Sequence, residues 1–327
     1  VSEEGFGRND FIETSRELVV VTAPGPGSGK LATCLSQLYH EHKRGVQAGY
    51  AKFETFPVWN LPLNHPVNLA YEAATADLSD VNMIDPFHLE AYGTTTVNYN
   101  RDVEAFPVLV AMFERILGQC PYKSPTDMGV NMVGNCIIND EAACYASRQE
   151  ILRRYYAANV EHIRGQENDD VIRRMELIMN HAEVTPEIFP AVAASLKREK
   201  ETKGPAGAMI LPDGRIITGR TTDLLGASSA LLLNALKELA CMPDELHLIA
   251  PIALDPIQQL KVEYLGNRNP RLHTDEVLGA LSVLSIDDDN CRRALEQLPK
   301  FDGCQVHSTV MLSEVDHKIF KKLGVGL

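Results

Sequence analysis

Leu18-Val19-Val20-Val21-Thr22-Ala23-Pro24-Gly25-Pro26-Gly27-Ser28-Gly29-Lys30 is the stretch whose reading decides the fold. A short β-branched run bounded by proline and glycine predicts a buried strand, and Ala32, Leu35 and Leu38 recur behind it at helical spacing. Strand, glycine-rich turn and helix together predict a phosphate-loop-like α/β module. The N-terminus of such a helix offers unpaired N–H groups and the positive end of the dipole, and a phosphate or carboxylate is its natural guest. Gly25, Gly27, Ser28, Gly29 and Lys30 are therefore the candidate anion-binding residues, with Thr33 as the nearest downstream hydroxyl. The match to the nucleotide-binding loop pattern is incomplete. Pro24 replaces the leading glycine, and Leu31 stands where a Ser or Thr would hold magnesium. The alternative is a tight strand-to-helix corner that binds nothing.

The loop, the run Asn64-His65-Pro66-Val67-Asn68-Leu69-Ala70-Tyr71-Glu72-Ala73-Ala74-Thr75-Ala76-Asp77, and Ile84-Asp85-Pro86-Phe87-His88-Leu89 together resemble a bacterial family known only as domain of unknown function 1846. The resemblance spans essentially the whole chain. It implies longer members with a further N-terminal domain, and an ATP-dependent peptidase label attached to some of them. The label receives no support from the residues, because neither a zinc-protease motif nor a Gly-x-Ser-x-Gly elbow is present.

Composition narrows the classes further. The chain has 327 residues, 45% hydrophobic and 23% charged, with a net charge of −13. That acidity argues against nonspecific affinity for nucleic acid or for an anionic membrane, so a small anion must be captured locally. Seven cysteines without a CxxC pair, and no apolar run near membrane-spanning length, predict a cytoplasmic protein with reduced thiols.

Three parts are expected along the chain: residues 1–105 as the phosphate-loop module, 106–203 as a helical domain, and 204–327 as a mixed α/β domain. Between Tyr50 and Asn100 amides, carboxylates and imidazoles are dense. Glu72, Asp77, Asp85 and His88, with Arg101, are the candidate acid–base and orienting residues there. Lys123, Asp127 and Asn131 are candidates to join them. The alternative for this segment is a proline-rich loop system tied by Asn and Asp hydrogen bonds. His88-Leu89-Glu90 mimics the His-x-Glu of zinc deaminases, but no Pro-Cys-x-x-Cys follows, and no metal site is assigned.

Helical periodicity predicts helices over 141–163, 169–181 and 185–200, whose apolar faces suggest a homo-oligomer interface. Asp213-Gly214 predicts a hairpin between 208–211 and 215–218. A helix over 224–240, a strand over 246–249, helices over 255–264 and 274–284 and strands near 305–312 then give an order resembling the cytidine-deaminase-like fold, with Gly226-Ala227-Ser228-Ser229 where zinc ligands would stand. His273 and His307-Ser308-Thr309 are weaker site candidates, more simply read as structural. Function is thus expected to be that of an enzyme, a hydrolase or transferase, acting on a nucleotide such as ATP or another phosphorylated small molecule. The alternative is a noncatalytic ligand-binding or assembly protein.

Overall fold

A computed structural model describes residues 1–25, 27–78, 80–131, 133–166 and 168–327. The chain divides into two compact units, Val1–Val184 and Thr185–Leu327, where the sequence suggests three parts.

In the first unit, α1 (Lys30–Lys43) follows the glycine loop and carries His40, His42 and Lys43 in its last turn, where the dipole favours cations. It packs Leu35 and Leu38 against Leu109, Phe113 and Ile116 of α4 (Asn100–Leu117). Between them come β1 (Lys52–Phe53), α2 (Pro66–Ala74), β2 (Asn82–Ile84), α3 (Pro86–Tyr92) and β3 (Val97–Tyr99). Next are α5 (Pro125–Met128), β4 (Gly129–Val130), α6 (Asp140–Ile163) and α7 (Asp169–His181). The sheets are minimal. β1 pairs in parallel with β4, Lys52 opposite Gly129, and β2 pairs antiparallel with β3, Asn82 opposite Tyr99. Helices α6 and α7 pack on each other and on α2 and belong to this unit, while the third helix expected beside them falls in the second unit.

One expected element is missing here. Leu18–Val21 forms no strand, and Leu18 is 81% exposed. A β-branched run becomes a strand only when another segment takes up its N–H and C=O groups, and none among the described residues does so.

The second unit contains α8 (Pro190–Thr202), β5 (Ala206–Ile210), β6 (Ile216–Arg220), α9 (Ala227–Leu239), α10 (Pro251–Gln259), α11 (Thr274–Leu284), α12 (Asp289–Leu295), β7 (Gln305–Ser308) and α13 (Glu314–Lys322). A π-helical turn, Leu260–Tyr264, extends α10. The hairpin turns at Asp213-Gly214 as its sequence requires, with Gly214 at φ 85°. The sheet order is β6-β5-β7, antiparallel throughout, with Met209 opposite Ile217 and Val306. α9 covers the sheet and is buried over most of its length, with Leu231, Leu232 and Leu236 at the centre of the core. Leu246–Ile249 is not the expected strand. Leu248 and Ile249 are buried as loop residues beside α9, because burial of an apolar run does not by itself supply a ladder partner. The protein is mixed α/β with small sheets, and neither the phosphate-loop module nor the deaminase-like sheet is reproduced as such.

Candidate functional site

The glycine loop brings Gly25, Gly27, Ser28, Gly29 and Lys30 together ahead of α1, while Pro26 lies outside the described residues. Gly27 and Gly29 have φ of 71° and 82°, the left-handed region where glycine is free of strain. A Cβ at Gly25, Gly27 or Gly29 would meet nothing within 4 Å, so the backbone there borders open space. Gly29 is the N-cap and supplies no side-chain acceptor, and the first turn carries no acidic residue. The first-turn N–H groups of a 14-residue helix therefore lack a side-chain cap. Lys30 Nζ donates to Gly25 O at 2.8 Å, and Ser28 Oγ donates to the same carbonyl. Thr33 Oγ1 donates to Gly29 O at 3.1 Å, a bond within its own helix.

The acid–base candidates do not gather around one point. Asp85 and His88 are joined, since Asp85 is the N-cap of α3 and its Oδ1 accepts from His88 N at 3.1 Å. Its Oδ2 accepts from Thr126 N at 3.2 Å and Thr126 Oγ1 at 2.6 Å, and the residue is fully buried. His88 Nδ1 lies 2.9 Å from Ser124 Oγ, which also accepts from Asp127 N as the cap of α5. Lys123 and Asp127 join this corner through Lys123 N and Tyr92 OH, both donating to Asp127 Oδ2. Asn131 instead donates to Pro57 O at 2.6 Å.

Glu72 is half-buried and accepts from Asn82 N at 3.4 Å. Burial raises its pKa against the opposing pull of Asn82 N–H, Arg174 and His181. Asp77 is exposed on a 3-10 turn, and Arg101 donates to Asp80 Oδ2 at 2.6 Å.

The sequence reading passed over Lys52, Glu54 and Asp102. Lys52 ion-pairs with Glu54 and, at 2.5 Å, with Asp102. One cation between two carboxylates leaves a buried excess negative charge. Burial first, and then the Asp102 charge, push the Glu54 carboxyl up to about 7, with Lys52 pulling the other way. Alternation along a strand, which sets residues 52 and 54 on one face, is the signal that points to this pair.

A folded-state pKa above the unfolded value means that the native state holds the extra proton between about pH 4.5 and 7. Stability is then highest below that window and falls as pH rises through it. Glu54→Gln should flatten this slope and raise stability at pH 8 by on the order of 2 kcal/mol. Urea unfolding of both proteins at pH 5 and pH 8 measures it, and equal pH slopes would remove Glu54 as the titrating group.

In the second unit, His273 is set by a buried carboxylate. Asp316 Oδ2 lies 3.1 Å from His273 Nδ1 and accepts from Ser313 Oγ at 2.9 Å, while Oδ1 accepts from Thr274 N and Thr274 Oγ1, each at 2.9 Å. A carboxylate-oriented imidazole is the arrangement that acid–base chemistry uses. It is hidden in the sequence by the 43-position separation of the partners. Burial lowers the His307 pKa, and Thr309 Oγ1 donates to Glu199.

His65, Asp140 and Cys144 bring one donor atom each within 4.8 Å of one another. However, His65 Nδ1 accepts from Val67 N as the cap of α2, so the ring proton sits on Nε2, 3.1 Å from Asp140 Oδ1. In that tautomer the imidazole has no lone pair left for a cation, and the trio is a hydrogen-bonded cluster.

Among the described residues no helix is long and apolar enough to cross a membrane. The N-terminal model of domain of unknown function DUF1846 matches residues 1–183, and its C-terminal model matches residues 187–327. These limits nearly coincide with the two compact units. A UPF0371 protein of Corynebacterium efficiens is 60% identical over 325 residues, 99% of this chain and 66% of its own length. UPF0371 proteins of Corynebacterium diphtheriae and Streptococcus pyogenes are 60% and 55% identical, with 99% and 100% of this chain covered. The chain spans about two thirds of these relatives, 66% of the first and 65% and 66% of the others. On two models that together cover nearly every residue, the chain belongs to the uncharacterised bacterial DUF1846 family, also called UPF0371.

Proposed function

We propose that the chain holds a nucleotide or another phosphorylated small molecule at Gly25–Lys30, as part of an enzyme of the hydrolase or transferase kind. The observation that carries this reading is the 14-residue helix α1, whose N-terminus has neither a side-chain cap nor an acidic first turn and lies behind three glycines bordering open space. First-turn N–H groups and the dipole would bind the phosphate oxygens, and Lys30 would exchange Gly25 O for one of them. With Leu31 in place of a hydroxyl, the position that holds magnesium in nucleotide-binding loops offers no side-chain ligand. Of the acid–base candidates, Asp85 is committed to capping and to Thr126, whereas Glu72 and the Nε2 side of His88 retain bonding capacity.

A ligand that binds only the folded state stabilises it by about 2.7 kcal/mol at a hundredfold excess over its Kd. ATP, a nucleoside monophosphate or a sugar phosphate should therefore raise the melting temperature. Lys30→Ala should lose most of that shift, a weakening of roughly ten- to a hundredfold, with the ligand-free melting temperature nearly unchanged. If no phosphorylated compound shifts the wild type, or Lys30→Ala shifts equally, the loop is only a corner. Release of inorganic phosphate from ATP separates the enzyme from a noncatalytic ligand-binding protein.

A further inference from the structure

In the second unit a cleft of about 200 Å³ opens between α8, the end of β6, α9 and the loop before α10. Arg198 of α8, Arg220 of β6, Lys237 of α9 and His247 of the loop all line it, and no carboxylate does. In a chain of net charge −13 such a one-sided lining is unexpected. These cations are also incompletely paired. The Arg198 Nε is buried without a hydrogen-bond partner, and its guanidinium reaches Glu201 only at 3.6 Å. The Arg220 and His247 side chains have no hydrogen bond or ion pair among the described residues. Lys237 Nζ is held at the cleft by Asp244 O at 2.7 Å, with the exposed Asp244 carboxylate 3.3 Å away.

Like charges brought together from three elements repel, and a buried donor without an acceptor costs about 1–3 kcal/mol. An anion would relieve both. The rest of the lining is largely apolar: Leu225, Ala230, Leu233 and Leu254 line the same cleft, so its occupant has an apolar body beside its charge. On α9 the spacing of Ala230, Leu233, Asn234 and Lys237 sets apolar and polar lining on one helical face.

We infer that this cleft binds a small organic phosphate, its dianion between Arg198, Arg220 and Lys237 and its apolar body against Leu225, Leu233 and Leu254. Three cations exceed what a single carboxylate needs and match a phosphomonoester, with Arg providing paired N–H donors. The site lies in a different unit from the glycine loop and does not depend on it.

The test is calorimetric titration of the protein with phenyl phosphate, inorganic phosphate and benzoate. Phenyl phosphate should bind more tightly than either of the others. Arg220→Gln and Arg198→Gln, at partly exposed side chains that leave the core untouched, should each weaken it by about tenfold or more, whereas binding at the glycine loop would respond to Lys30→Ala instead. Three results would overturn the assignment: no phenyl phosphate binding, binding that survives both arginine changes, or binding lost only in Lys30→Ala, which would move it to the glycine loop. Inorganic phosphate or benzoate binding as tightly as phenyl phosphate would overturn the organic phosphate as occupant.

Discussion

Asp85→Ala should destabilise the first unit by roughly 3–5 kcal/mol, lowering its melting temperature by about ten degrees or more. Three donors lose their acceptor at once: His88 N, Thr126 N and Thr126 Oγ1. The first bond is a helix N-cap worth about 1 kcal/mol. Of the other two, Thr126 N becomes a buried donor without an acceptor and Thr126 Oγ1 keeps only Thr96 Oγ1, 3.1 Å away, as acceptor, beside a site with no exposed surface, since Thr126 and Asp85 are both buried. Asp85→Asn should cost less, because an amide oxygen still accepts for one of the two pairs. The single tryptophan makes the measurement specific to this unit, as Trp59 O accepts from Val97 N, next to the Thr96 whose carbonyl accepts from Asp85 N. Unfolding followed by Trp59 fluorescence gives the number. A melting temperature within a degree or two of wild type would mean that Asp85 anchors nothing and is free for chemistry.

That expectation reverses the role the sequence suggests for Asp85, and the reason is general to this segment. Composition between Tyr50 and Asn100 shows a density of polar groups, but a carboxylate that orients substrate and one that caps a helix are the same residue type at the same spacing. Asp85-Pro86 followed by His88 is also what an N-cap with proline at the first helical position looks like, and the structure uses it that way. His65 and Ser124, each ahead of a proline, do the same for α2 and α5. What local sequence encodes was legible: Asp169–His181 and Thr274–Leu284 form helices between the expected residues, and Asp213-Gly214 turns the hairpin. What depends on distant partners was not. Leu18–Val21 and Leu246–Ile249 have strand composition and no ladder. Lys52 meets Asp102, His273 meets Asp316, and Arg198 meets Arg220 at one cleft only because the chain returns on itself. Periodicity carries no information on such returns.

Glycines give the second large effect, with opposite signs expected at two positions of the same unit. Gly219 lies in β6 where α9 crosses the sheet, and a Cβ there would stand 2.3 Å from Leu231 N and 2.5 Å from Leu231 Cα. Those are backbone atoms of a buried helix, so relief requires α9 to move off β6 and to open the contacts of Leu231, Leu232 and Leu236. Gly219→Ala should cost at least about 3 kcal/mol, at the upper end of overpacking effects, and lower the expression of folded protein. Gly279 is the counterexample, lying within α11 on an exposed face with nothing within 4 Å of its Cβ position. There alanine only narrows the unfolded ensemble and improves helix propensity, and Gly279→Ala should stabilise by about 0.5–1 kcal/mol. Calorimetric unfolding of both variants reads the second unit, with the Trp59 signal of the first as internal reference. Equal and small effects would show that α9 can shift on the sheet, in which case the cleft lined by Arg220, Asn234 and Lys237 is not held rigidly by the packing of β6 and α9.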